Sequence, residues 1–117
     1  MAYVNLIEET IQKLNENHLT PDDVKWVGSR NGLYVLSWQE FAEKFKDFVY
    51  YNSYGTQEVA SDLVVVGDKW WLERAEYDGA EWWVFRTSPV QKAINLKFYK
   101  VDTMGELSEG QQVEESE

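Results

Sequence analysis

The chain has 117 residues, enough for one domain with a sizeable core, and it is 44% hydrophobic and 15% aromatic. It contains no cysteine, so disulfide staples and thiol chemistry are excluded. Its formal net charge of −10 leaves no basic footprint of the kind a phosphate backbone requires, so direct nucleic-acid binding is not expected.

Leu6 to about Glu16 reads as a helix, because Ile7, Ile11 and Leu14 recur on one helical face. Asn5 suits the N-cap with Glu8 at the third helical position, and Val4 extends the stripe if the helix starts earlier. His18 follows in a loop. It is the one histidine of the chain and has no cysteine or second histidine with which to hold a metal. Thr20-Pro21-Asp22-Asp23 reads as a single helical turn, capped by Thr20, with Pro21 first and the acids at the positive end of the dipole. Lys25 to Gly28 and Leu33 to Leu36 are expected to form a hairpin about Asn31-Gly32, with Val27 opposite Leu36 and Gly28 opposite Val35.

Ser37 and Glu40 form a capping box that predicts a helix from Trp38 to about Tyr50, with Phe41, Phe45, Phe48 and Val49 as its apolar stripe. Tyr50, Tyr51 and Tyr54 then crowd a turn. Tyrosines on a loop give large contact area at low entropic cost, so Tyr51 and Tyr54 are candidate contact residues.

Leu63 to Thr87 holds four of the six tryptophans and reads as three antiparallel strands. Gly67-Asp68 and Asp78-Gly79 are the expected two-residue turns. They would set Val65 opposite Trp70, Leu63 opposite Leu72, Leu72 opposite Phe85, Arg74 opposite Trp83 and Arg86 opposite Trp71. Alternation along each strand assigns Leu63, Val65, Trp70, Leu72, Trp83 and Phe85 to a core face. The other face carries Val64, Val66, Trp71, Glu73, Ala75, Tyr77, Trp82, Val84 and Arg86. So many large aromatics require a cover, whether another element, a subunit or a ligand. The simplest cover is the Lys25 to Leu36 hairpin lapping over it. Glu76 and Glu81 are expected to meet near the hairpin tip, where water screens them.

Ser88-Pro89 ends the meander. Val90 to Asn95 suits a turn of helix, and Leu96 to Val101 is the candidate last strand. From Met104 onward composition collapses to Gly, Ser, Gln and Glu. Residues 103–117 carry Glu106, Glu109, Glu114, Glu115 and Glu117 with no Lys or Arg, half of the net charge. The expected organisation is therefore one α+β domain over residues 1–102, with two helices on an antiparallel sheet containing two hairpins and a three-stranded meander. Residues 103–117 are expected to form a disordered acidic tail.

The runs Gly67 to Arg74, Glu76 to Gly79 and Glu81 to Trp83 combine paired tryptophans, an EYDG turn and a second tryptophan pair. This pattern resembles small uncharacterised proteins encoded by phages and prophages of Gram-positive bacteria. The resemblance covers about a quarter of the chain and implies a cytoplasmic accessory protein, without assigning an activity or a functional residue.

No nucleophile triad, P-loop or dinucleotide fingerprint is present. Glu73, Glu76, Asp78 and Glu81 cluster about one hairpin, and paired carboxylates can hydrolyse glycosides. They are expected instead to be a solvated tip with no buried carboxylate. The chain is thus expected to be non-catalytic, with no metal and no cofactor. No apolar run reaches the ~20 residues of a membrane helix, and no secretory signal is seen. A protein partner or self-association is expected, through Trp71, Tyr77, Trp82 and Arg86 with Tyr51 and Tyr54. The alternative is an acidic nucleic-acid mimic that inhibits a host DNA-binding defence enzyme.

Overall fold

A computed structural model describes residues 3–53 and 55–89 together with the backbone of 99–101 and 107–109. The architecture is α+β. Among the described residues, two helices pack against a five-stranded antiparallel sheet, and two further strand pairs form separate two-stranded sheets.

Strand β1 (Tyr3–Asn5) leads directly into helix α1 (Leu6–Glu16). The Asn5 side chain accepts from the Glu8 amide at 3.0 Å, which is the expected cap. Leu6, Ile7 and Leu14 turn inward. The turn Pro21–Asp23 follows, and the Thr20 and Asp23 side chains cap it reciprocally.

Strands β2 (Trp26–Ser29) and β3 (Val35–Leu36) pair in the expected register, Val27 with Leu36 and Gly28 with Val35. Their turn differs from expectation. The Gly32 amide donates to the Ser29 carbonyl at 2.8 Å, so Arg30 and Asn31 are the central residues and only Gly32 has a positive φ, 77°. Asn31 is better used as an acceptor. Its Oδ1 takes the Leu33 amide at 3.0 Å and the Ser29 hydroxyl at 2.7 Å.

Helix α2 (Trp38–Lys44) begins at the predicted capping box but ends after seven residues rather than near Tyr50. Tertiary hydrogen bonds compete for the following carbonyls. Asn5 Nδ2 donates to Lys46 O at 2.9 Å, and the Leu6 amide donates to Phe48 O at 3.0 Å. The β-branched and aromatic run Val49–Tyr51 then forms strand β4, which pairs with β1. Phe41 is fully buried, Phe45 and Phe48 are half-buried, and Val49 is exposed, so the expected four-residue stripe does not exist. The rings still form a chain: Phe41–Phe45 at 5.4 Å, Phe45–Phe48 at 5.8 Å and Phe48–Tyr50 at 6.4 Å between centroids.

The meander is present as β5 (Leu63–Val66), β6 (Trp70–Tyr77) and β7 (Ala80–Thr87). The β6–β7 register is as expected, and the Asp78-Gly79 turn has positive φ at both residues, 53° and 88°. The β5–β6 register is shifted by two. Val65 faces Leu72 rather than Trp70, and the loop residues are Asp68 and Lys69, with Lys69 at φ 67°. Gly67 is needed for space instead of for its φ. A Cβ there would lie 2.1 Å from Trp70 Cε2, and that indole stacks on Phe85 at 6.0 Å. A shift of two preserves which side chains share a face.

The hairpin does not lap over the meander. β2 pairs with β5, so the sheet order is β3-β2-β5-β6-β7 and the hairpin widens the sheet instead of covering it. Val27 thereby joins Val65, Leu72, Trp70 and Trp83 on the core face, closed by Leu6, Ile7 and Leu14 of α1 and Phe41 of α2. Among the described residues, no helix is long and apolar enough to cross a membrane.

Val90 to Asn95 lies outside the described residues. Tyr99–Val101 (β8) pairs with Leu107–Glu109 (β9). The rest of the acidic tail lies outside the described residues.

Candidate functional site

Among the described residues both helices occupy one face of the sheet, and the other face is built from strand residues alone. One cross-strand row runs Trp26, Val66, Trp71, Arg86, and the next runs Val35, Gly28, Val64, Glu73, Val84. Ala75 and Trp82 form the start of a third, towards Tyr77. Val64 in the middle is buried. Trp26, Val66, Trp71, Ala75 and Val84 are half-buried, and Tyr77, Val35 and Trp82 are exposed. Trp82 is 42% exposed.

Glu73 organises this face. Its Oε1 accepts from Trp71 Nε1 at 2.8 Å, and its Oε2 faces Arg86 Nε at 3.2 Å. The Trp71 hydrogen bond is the main reason its carboxyl titrates below the usual range; burial opposes it, and Arg86 adds to the lowering. Arg86 sits opposite Trp71 as expected but turns its guanidinium to Glu73 rather than over the indole. The result is a fixed set of indole, carboxylate and half-exposed guanidinium.

The expected contact residues separate. Trp71, Tyr77, Trp82 and Arg86 share this face. Tyr51 lies on β4 in the two-stranded sheet, where its ring packs against Tyr3 at 5.2 Å. Tyr54 lies outside the described residues. Trp26 and Val35 belong to the face but were not foreseen, because their place follows from β2–β5 pairing, which no local pattern announces.

On the core face the reading of the carboxylates needs correction. Glu81 is not part of a solvated tip. Its side chain and that of Arg74 are both fully buried, with Arg74 Nη2 and Glu81 Oε1 3.1 Å apart. Both Glu81 oxygens also accept backbone amides, from Glu58 at 2.7 Å and Val59 at 3.2 Å. Arg74 Nη2 donates to Tyr50 Oη at 2.9 Å, and its guanidinium lies over the rings of Trp83, 4.7 Å away, and Tyr50, 5.4 Å away. Tyr50 donates to Glu9 at 2.8 Å, and Glu9 lies 3.5 Å from Arg74 Nη1, too loose for a hydrogen bond.

Glu9 titrates above the usual carboxylate range because it is buried, against the pull of Tyr50 and Arg74. Burial likewise raises Tyr50 well above the ordinary phenol range. Trp83 closes the set by donating from Nε1 to Thr10 Oγ1 at 2.9 Å. Alternation along β6 and β7 places Arg74 with Leu72 and Glu81 with Trp83, so the sequence did hold the signal for this pair. Every oxygen of Glu81 is engaged, so its part is to tie the segment around Glu58 to the sheet.

No group of three or more His, Cys, Asp or Glu among the described residues is placed to hold a metal ion. In comparisons with protein-family models, curated proteins and solved structures, no match to this chain is found.

Proposed function

We propose that the chain is a non-catalytic binding module that docks a protein partner on the open sheet face, with Trp71 and Trp82 as its apolar anchors and Arg86 as its polar one. The observation that carries this reading is the placement of both helices on one side of a five-stranded sheet whose other side holds three tryptophans. Large aromatics and arginine are the residue types that dominate interface energies. The Glu73 clamp fixes Trp71 and Arg86 before a partner arrives, which lowers the ordering cost of association. The resemblance of the paired-tryptophan pattern to phage and prophage proteins fits an accessory protein acting in a host cytoplasm.

The acidic-mimic reading has less support. A phosphate mimic needs free carboxylates arrayed on a surface, whereas Glu81 is buried against Arg74 and Glu73 is held by Trp71 and Arg86. The test is capture of partners from a host lysate by the parent chain and by a Trp71→Ala/Trp82→Ala variant of matched circular dichroism. The binding reading expects the variant to lose the partner. Equal capture by both chains would contradict it.

A further inference from the structure

The two edges of the five-stranded sheet are not alike. β7 is the long edge, but Glu81 and Trp83 on it are only 1% and 2% exposed, so its outer backbone is covered there. β3 is short and bare. Leu33 and Tyr34, leading into it, are each 74% exposed, and Val35 is 57% exposed. Three consecutive apolar side chains in water are a defect unless they serve a contact.

These side chains are held in place. Ser29 Oγ donates to Asn31 Oδ1 and accepts the Tyr34 amide at 3.1 Å, while the Ser29 amide donates to Tyr34 O at 2.9 Å. The Tyr34 carbonyl presses on Gly28 so closely that a Cβ there would lie 1.8 Å from it. Display of Leu33 to Val35 is therefore built into the loop, and binding there would order little. Because the Ser29 amide bonds to the Tyr34 carbonyl across the pair, the next pair, Gly28 and Val35, is the non-bonded one, and the Val35 N–H and C=O point outward. Among the described residues no further strand pairs with β3 on that side.

A groove of about 720 Å³ opens beside this edge, lined by Leu33, Val35, Leu36, Phe45, Ala60 and Leu63. Asp62 is the one carboxylate on its lining and is exposed. It forms no ion pair among the described residues, while neighbouring Arg30 is turned onto the Ser61 carbonyl at 3.2 Å.

We propose that this edge and groove dock an extended partner segment that adds as a strand outside β3, seats an apolar side chain in the groove and sets a basic side chain on Asp62. Strand addition supplies main-chain hydrogen bonds from Val35, and the groove supplies selectivity. Asp62, without an ion pair among the described residues and on a chain of net charge −10, favours a basic segment over an acidic one. Val35 borders both surfaces, but the contacts proposed here, its outward main chain, the groove and Asp62, do not involve Trp71 or Trp82.

The test is selection from a random decapeptide library against the parent chain, followed by affinity measurement of the enriched peptides. The expected peptides alternate apolar and basic residues. Leu33→Asp and Asp62→Lys, both at exposed positions, should each weaken them roughly ten-fold or more, about 1.4 kcal/mol. Trp71→Ala should leave their affinity unchanged, and hydrogen exchange at the Val35 amide should slow when they bind. Failure to enrich any peptide would overturn the proposal, as would enriched peptides indifferent to Leu33→Asp and Asp62→Lys. A parent chain that sediments as a dimer, and as a monomer once Leu33→Asp is introduced, would show that a second copy fills the edge and would also overturn it.

Discussion

Arg74–Glu81 and Arg86–Glu73 are the same kind of ion pair, carried by the same two strands, on opposite faces of one sheet. Their closest approaches are nearly equal, 3.1 Å and 3.2 Å. Their surroundings are not. Arg74 and Glu81 are wholly excluded from water, whereas the Arg86 side chain is 54% exposed and that of Glu73 24%. Glu81 offsets its burial with two backbone amides, whereas Arg74 Nε and Nη1 find no hydrogen-bond partner among the described residues and the guanidinium rests instead on the rings of Trp83 and Tyr50 and the nearby Glu9 carboxylate. The exposed pair is screened and contributes little energy, but it fixes the side chains around it. The pair itself decides little. The face decides whether it is a structural joint or part of a presented surface, and the adjacent tryptophans follow the same division, Trp70 and Trp83 inward, Trp71 and Trp82 outward.

The comparison breaks most visibly at Arg74. Arg74→Ala leaves Glu81 buried without its cation and is expected to cost about 3–5 kcal/mol in urea unfolding. A loss below about 1 kcal/mol would mean that the pair is not closed to water. Next is Trp83→Ala, expected to cost about 3–5 kcal/mol, because it opens a cavity in the core cluster, leaves Thr10 without its indole donor and removes the ring under the Arg74 guanidinium. An unchanged urea midpoint would remove Trp83 from the core.

Acid titration sharpens the contrast without creating a cavity. Glu9 is raised in the folded chain, so the fold takes up its proton before the unfolded chain does. Its contribution to stability therefore grows as pH falls through the raised value towards the ordinary carboxylate range, and is lost on the way back up. Glu73 is lowered, so its contribution is present above the ordinary range and is lost as pH falls through the depressed value. Relative to the parent, Glu9→Gln should remove a gain in stability on acidification and Glu73→Gln should remove a loss. Urea midpoints between neutral and acid pH check the two signs, and equal slopes for both variants would contradict the assignment. Arg86→Ala comes last, at no more than about 1 kcal/mol, since the guanidinium side of the pair is open to water and salt. Urea unfolding at low and high salt measures it, and a loss of several kcal/mol would place Arg86 in a closed environment.

Local signals carried much of the fold. The Asn5, Thr20 and Ser37 caps, the Asp78-Gly79 turn and the β6–β7 register all follow from residue chemistry within a few positions. Face assignment also survived the shifted β5–β6 register, because a slip of two leaves each side chain on its side. What escaped was non-local. The end of α2 is set by Asn5 and Leu6, some forty residues away in sequence. Of the expected stripe Phe41, Phe45, Phe48 and Val49, only Phe41 is fully buried. The joining of β2 to β5 added Trp26 and Val35 to the open face. Glu81 departs from expectation for a different reason. Alternation places it on the core face beside Arg74, but its charge argues for water, and only the partners from α1, β4 and the segment around Glu58 make the burial of this pair tolerable.

The division of the two faces is tested most directly at Trp82. The unfolding free energy of Trp82→Ala, measured beside that of Trp83→Ala, compares adjacent residues of one strand. If the outer face is a presented surface, Trp82→Ala costs no more than about 1.5 kcal/mol, well under half the cost at Trp83. Equal losses of several kcal/mol at both positions would show that Trp82 belongs to a core and would contradict the open face on which the proposed function rests.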